Sequence, residues 1–218
     1  MSVLRCKDLS VGYGVTPVAN GINFEIINGC RLAIFGSNGC GKSTLSKTIA
    51  GLIPAIDGGV MIRGKVAYVP QISEEQADFP ATVLEVAMMG MSLRDYGFLG
   101  MFFKKEAYSK ALNQLEQFGI RDLACKSFKS LSGGQKQKVL IARALLSMNN
   151  PHESILLLDE PTKGLDANSA QALYKIQNDF SEAGGIVAVV THDLANVSKQ
   201  NFDCKLTVGE TSVFREVI

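Results

Sequence analysis

The nine residues GSNGCGKST at 36–44 constrain the fold of this 218-residue chain more than any other stretch. They fit G-x-x-x-x-G-K-[ST], in which glycines free the backbone to wrap phosphate oxygens and the following helix adds positive potential at its N-terminus. Arg31–Phe35 reads as a short apolar strand ending at Gly36, and residues 42–50 read as a helix before the breakers Gly51 and Pro54. That is the strand, loop and helix order a phosphate loop requires. Gly36, Ser37, Asn38, Gly39, Cys40, Gly41 and Thr44 are therefore candidate nucleotide contacts. Lys42 is placed to reach the β- and γ-phosphates and Ser43 to hold Mg²⁺.

Two strand-like segments, 3–7 and 22–26, flank a Gly/Pro-containing turn region with Tyr13 inside VGYG, and suggest a small antiparallel lobe. Residues 66–69 form another buried strand, ending in Pro70 and Gln71. From about 82 to 148 the pattern turns helical: Ala107, Tyr108, Ala111, Leu112, Leu115 and Phe118 recur at three- and four-residue steps. Residues 155–158 and 186–190 are continuous apolar runs, as in strands covered on both faces, with a helix over about 168–183 between them. A parallel sheet with crossover helices follows. The expected organisation is one domain over 1–218, with a catalytic core and β lobe over about 1–81 and 151–218 and a helical subdomain over about 82–150.

Composition excludes several classes. The balance of 22 Lys+Arg against 21 Asp+Glu gives no long-range attraction to nucleic acid, so no nucleic-acid partner is expected. Cys6, Cys30, Cys40, Cys125 and Cys204 are odd in number and widely spaced, which argues against a disulfide framework or a zinc site and for a reducing compartment. The start, MSVLRCKDLS, has no apolar run of a signal peptide. The most apolar candidate span, 83–103, is interrupted by Glu85, Arg94 and Asp95, so no bilayer crossing is expected.

Two further motifs follow the phosphate loop in order. LSGGQ at 131–135 combines Gly133 and Gly134, whose backbone N–H groups can approach a phosphate closely, with the Ser132 hydroxyl and a helix N-terminus. ILLLDE at 155–160 buries its apolar half and leaves its acidic half at the strand's C-terminal end, where ligands sit in open α/β sheets. Asp159 then suits Mg²⁺, directly or through water, and Glu160 suits polarisation of an attacking water. Acidic residues after a buried strand also commonly cap the next helix, and Pro161 and Thr162 fit such a turn.

With these three motifs in order, nearly the whole chain resembles an ABC transporter ATP-binding subunit. The resemblance implies an α/β fold of the P-loop NTPase (RecA-like) type, with a small antiparallel β lobe and an inserted α-helical subdomain. It implies ATP hydrolysis with ATP and Mg²⁺ as cofactors, and a head-to-tail dimer. Tyr13 matches the aromatic residue that stacks on adenine, though a lone tyrosine serves equally as a packing residue. Gln71 in YVPQ matches the glutamine that senses Mg²⁺ and the γ-phosphate, and His192 in VTHD the histidine that contacts the γ-phosphate. Asp166 in GLD matches the loop that crosses the dimer, and Gln135 closes the LSGGQ set. There are departures. Lys138 stands where arginine is usual, leaving a local salt bridge open; residues 148–154 are a few longer than usual; and, with the sequence ending soon after Val217, no C-terminal regulatory domain is expected.

The region around residues 71–105, read from YVPQ (68–71) to YGFLGMFFKKEA (96–107), resembles the ATPases of zinc and manganese uptake systems. Similar segments occur in importers of iron chelates, and the same residues also simply begin the helical subdomain. With only His152 and His192 and no cysteine pair at ligand spacing, direct metal binding by the subunit is not expected. The implied partners are a transmembrane permease subunit and an extracytoplasmic solute-binding protein, which would hold the metal selectivity. The implied place is peripheral, at the cytoplasmic face of the membrane. A soluble ABC ATPase of cofactor assembly would share every catalytic motif. A DNA-repair or ribosome-associated relative should show a coiled-coil insertion, a zinc module or a tandem ATPase.

Overall fold

A computed structural model describes residues 3–71, 80–92, 105–148, 150–192, 202–209 and 213–217. The chain divides into two compact units, residues 1–70, 150–161 and 176–218 forming the first and 71–149 with 162–175 the second.

In the first unit, β1 (Val3–Tyr13) pairs antiparallel with both β2 (Thr16–Ile27) and β4 (Asp57–Arg63), giving the order β2-β1-β4. The expected strand over 3–7 runs six residues further, to Tyr13, because Asp8 absorbs an irregularity. Its φ of 46° and a register shift between Lys7 and Ser10 bend the strand without ending it. Asn23 holds the bend, accepting from the Asp8 N–H at 2.9 Å and donating to Asp8 Oδ1 at 3.0 Å. The strand β4 begins Asp-Gly-Gly, which conceals it from pattern reading.

The second sheet runs β5 (Lys65–Val69), β6 (Ser154–Asp159), β7 (Ile186–Val190), β3 (Arg31–Phe35), β8 (Cys204–Val208), β9 (Val213–Val217). All neighbours are parallel except β8 and β9. Every residue of β6 and β7 is buried, as their unbroken apolar runs imply. Leu32, Ile34, Ile155, Leu157, Ala188 and Leu206 share one core with Leu4, Leu9 and Ile22 of the antiparallel lobe and with Leu45 and Ile49 of α1 (Lys42–Ile49). The parallel register Ile34↔Val190 and Asp159↔Val190 brings the C-terminal ends of β3, β6 and β7 to one edge.

The second unit is helical. A capping box starts α2 (Val83–Met88): Thr82 Oγ1 accepts from the Glu85 N–H at 3.2 Å, and Glu85 Oε2 accepts from the Thr82 N–H at 2.7 Å. The helix α3 (Lys105–Gln117) buries Ala107, Ala111 and Leu115 on the expected face, whereas Tyr108 is 43% exposed at its edge. The longer α4 (Gly133–Ser147) buries Val139 to Ala142 and Ala144. The helix α5 (Ala167–Glu182) starts in this unit. Among the described residues no helix is long and apolar enough to cross a membrane. Much of the 71–105 segment, including Arg94 and Asp95, lies outside the described residues.

Candidate active site

The phosphate loop forms because its glycines allow contacts that a side chain forbids. A Cβ on Gly36 would lie 2.3 Å from Val208 O and 2.7 Å from Cys40 Sγ, so only glycine lets β3 turn beside the end of β8. Gly41, at φ 99°, then starts α1, whose own first turn carries no acidic residue. Ser37, Asn38 and Gly39 are exposed, while Thr44 and Lys42 are buried. The Lys42 ammonium folds back over the loop and donates to Gly36 O at 2.9 Å and Ser37 O at 2.8 Å. Cys40 is only 4% exposed, so the loop's positive field does not make its thiol accessible.

Asp159 ends β6 at 1% exposure. Burial raises its pKa above the ordinary carboxylate value, the hydrogen bond from Ser43 opposes the rise, and the neighbouring Glu160 adds to it. Tyr68 on β5 donates to Asp159 Oδ2 at 3.4 Å, and burial foremost, then Asp159, pushes the phenol pKa upward. The other oxygen, Asp159 Oδ1, is buried with no hydrogen-bond partner among the described residues. A hydroxyl and an unpaired carboxylate oxygen are hard donors, which suits Mg²⁺.

Glu160, the next residue, has φ 48°, a strained value for a residue with a side chain. Its N–H donates to Val190 O at 2.9 Å, so sheet pairing holds the backbone in place. The reversal sends its carboxylate to His192, with Nδ1 to Oε1 at 2.7 Å. The glutamate side chain is 13% exposed and the histidine 63%, so the imidazole faces outward while the acid is sheltered. Sequence reasoning named both residues but not their contact, which depends on β6 and β7 being neighbours.

Tyr13 is 62% exposed at the end of β1, and Lys47 of α1 donates to its hydroxyl at 3.3 Å. Lys47 was missed, because no sequence spacing links a helix residue to an aromatic residue 34 positions earlier. Gln71 is exposed where the chain enters the second unit.

In the second unit LSGGQ is also a capping box. Ser132 Oγ accepts from the Gln135 N–H at 3.3 Å, and Gln135 Oε1 accepts from the Ser132 N–H at 3.0 Å. The S-x-x-Q spacing carried that signal. The bond uses a lone pair of the serine, so its O–H remains to donate. A Cβ on Gly134 would lie 2.3 Å from Gly164 O, which fixes glycine at that position. Asp166 caps α5, accepting from the Ser169 N–H at 2.9 Å and the Ser169 hydroxyl at 2.6 Å, and these bonds hold its pKa well below the carboxylate range. Lys138 Nζ lies 3.4 Å from Asp166 Oδ2, so the local ion pair forms with lysine in place of arginine.

The stretch before β6 is a single turn, Pro151–Glu153. Asn150 Oδ1 accepts from the His152 N–H at 3.1 Å, and Asn28 Nδ2 donates to His152 O at 3.2 Å. Residues 149 and 193–201 lie outside the described set.

A phosphate loop, an acidic strand end and an anion-directed helix N-terminus define a nucleotide-hydrolysing subunit. Residues 19–163 match the family described as ABC transporter, and the chain belongs to that family as an ATP-binding, ATP-hydrolysing subunit. It is similar to the manganese transport system ATP-binding protein MntB of Bacillus subtilis, 37% identical over 204 residues that cover 89% of this chain and 78% of that protein. It is equally similar to the zinc transport system ATP-binding protein TroB of Treponema pallidum, 37% identical over 206 residues, 90% of this chain and 74% of that protein. A solved dimeric bacterial ABC transporter cassette superposes with a TM-score of 0.81 at 27% identity, over 98% of both chains. An inward-facing ABC transporter assigned to the metal-chelate type gives 0.82 at 29% identity, over all of this chain and 84% of its own.

Proposed function

We propose that the chain is the ATPase subunit driving uptake of a metal ion, zinc or manganese, through a separate membrane-spanning permease. The observation that carries the catalytic assignment is the gathering of Lys42, Ser43, Asp159 and the Glu160–His192 pair within one unit, with one carboxylate oxygen of Asp159 buried and unpaired among the described residues. The relatives from manganese and zinc transport systems support the cargo. A metal-carrying permease and a solute-binding protein would select the ion. The ATPase would sit at the membrane's cytoplasmic face.

In this reading Tyr13 stacks on the adenine while Lys47 fixes the ring. Backbone N–H groups over 39–44 and the N-terminus of α1 bind the phosphates. Lys42 exchanges a carbonyl partner for β- and γ-phosphate oxygens. Ser43 and Asp159 would hold Mg²⁺, which when bound would neutralise charge growing on the phosphate oxygens; Gln71, the further ligand the family resemblance suggests, begins the second unit. Glu160 orients the attacking water and accepts its proton. His192 Nδ1 donates to Glu160 Oε1, which holds the carboxylate and leaves Nε2 for the γ-phosphate. A second copy, packed head to tail, closes the site with the Ser132 O–H, the Gly133 and Gly134 N–H groups and the turn at Asp166. The dimeric cassette supports that arrangement.

Elemental analysis of metal-limited cells carrying Lys42→Ala tests the cargo. The variant should lower cellular zinc or manganese as deletion does, while the purified subunit binds neither ion tightly. Normal zinc and manganese with another solute's uptake lost, an iron chelate for example, would overturn the metal assignment and leave the ATPase intact.

A further inference from the structure

Although the cysteines show no pairing pattern in sequence, the fold brings two of them together. Cys30 and Cys204 are 174 residues apart, yet their sulfurs lie 4.0 Å from each other. Both are reduced. Cys30 ends the turn before β3 and is partly exposed, while Cys204 opens β8 at 3% exposure. The pair sits at the N-terminal ends of two adjacent parallel strands, in the register Leu32↔Cys204 to Phe35↔Thr207.

We propose that Cys30 and Cys204 form an oxidative modification site, closing to a disulfide under peroxide and thereby weakening ATP binding. The two thiols have complementary exposure. Cys30 is reachable by a small oxidant: its thiolate attacks one peroxide oxygen, the O–O bond breaks, and the departing hydroxide takes a proton to leave as water. The sulfenic acid on Cys30 then meets the sheltered Cys204 sulfur, which attacks it. The S–O bond breaks, hydroxide leaves and takes the Cys204 thiol proton, and a second water forms. Two thiols are oxidised by two electrons and one peroxide is reduced to two waters. A dithiol reductant reverses the change by thiol–disulfide exchange. The other thiols suit this chemistry less: Cys6 is buried with its pKa pushed up to about 12, Cys40 is 4% exposed, and Cys125 belongs to the second unit.

The effect on ATP follows from what the two strands carry at their other ends. The strand β3 runs into Gly36, and β8 ends at Val208, whose carbonyl packs where a Gly36 Cβ would be. A disulfide needs its sulfurs about 2.05 Å apart, so the pair must close by about 2 Å, shared between side-chain rotation and a slide of β3 along β8. Whatever part of that closure β3 takes up drives Gly36 against Val208 O and disturbs the loop proposed to hold the phosphates.

The test uses the purified full chain, treated with hydrogen peroxide, blocked with an alkylating reagent and mapped without reduction. The expected result is a peptide pair joined through Cys30 and Cys204. It should accompany an ATP dissociation constant raised about tenfold, equivalent to about 1.4 kcal/mol, with both changes reversed by dithiothreitol. Cys30→Ser, at a partly exposed position, should bind ATP as the untreated protein does and keep that affinity after peroxide. Three results would overturn the proposal: oxidation confined to sulfinic acid or to other cysteines, a Cys30–Cys204 disulfide with unchanged ATP affinity, or an equal loss of affinity in peroxide-treated Cys30→Ser.

Discussion

The contact between Glu160 and His192 makes a double-mutant prediction with a distinctive outcome. Glu160→Gln keeps shape and an acceptor for the His192 N–H but removes the base, and general-base catalysis is worth about 10²–10⁴-fold. Turnover should fall by that factor while ATP binding persists and an ATP-bound dimer accumulates. His192→Ala removes the 2.7 Å hydrogen bond to the carboxylate. A hydrogen bond to a charged group contributes about 1.5–3 kcal/mol, so losing it should cost about 10–150-fold in turnover. If the histidine acts in part through the glutamate, the double variant should lose less than the product of the two single losses, the further fall below Glu160→Gln reporting the Nε2 contact with the γ-phosphate. Single-turnover release of phosphate from bound Mg-ATP isolates the chemical step, and equilibrium nucleotide binding with size-exclusion checks that binding and dimerisation survive. Wild-type turnover in Glu160→Gln would remove that residue from catalysis. Full additivity in the double variant would refute the claim that His192 works through it.

Stacking of a base on an aromatic ring is worth roughly 1–3 kcal/mol, so Tyr13→Ala should raise the ATP dissociation constant about tenfold. Tyr13→Phe should be milder, losing only the bond to Lys47, and equal affinities for the wild type and the alanine variant would return Tyr13 to a packing role. Alkylation of Cys40 should block ATP binding, but slowly because the thiol is buried, with Mg-ATP protecting it; Cys40→Ser should keep activity and resist, and undiminished sensitivity would place the reactive thiol elsewhere. The raised pKa of Asp159 means that the folded state holds its proton more readily than the unfolded state. Its destabilising effect therefore grows as pH rises from the ordinary carboxylate value through the raised one, and is fully present above that. Asp159→Asn should raise the thermal midpoint of the ligand-free protein at pH 7 and lose stabilisation by Mg-ATP, and a lower midpoint would refute this account.

Legibility in the sequence followed the range of the interactions. The β6 and β7 strands were readable because burial on both faces writes an unbroken apolar run, and the phosphate loop because its glycines and lysine act within nine residues. The Asp-Gly-Gly start of β4 suppresses strand character, and Asp8 interrupts the alternation of β1 although Asn23 holds the strand together from across the sheet. At the site, residue identities were local information and partnerships were not. Lys47 with Tyr13, His192 with Glu160 and Cys30 with Cys204 all depend on strand order or on a helix crossing. LSGGQ shows a different obstacle: the residues proposed to meet an anion from a second copy also form a capping box within their own chain.

The adjacent carboxylates Asp159 and Glu160 show why a strained residue is retained at this edge. In a continuing strand, consecutive side chains point to opposite faces, and Asp159 follows that rule into the buried space beside Ser43 and Tyr68. Glu160 would then pack against the sheet's other face, away from the strand end where the phosphates are expected. A φ of 48° re-aims it there, to within 2.7 Å of His192, and the N–H bond to Val190 O prevents the backbone from relaxing. The strain, about 1–3 kcal/mol for such a residue, separates the roles of two neighbouring acids. One stays dry with an unpaired oxygen suited to a cation. The other reaches the solvent boundary, held by a histidine, where the proposed mechanism puts the attacking water. Glu160→Gly relieves the strain but removes the acid, so it should stabilise the fold while abolishing hydrolysis, a combination that a capping role for Glu160 would not produce.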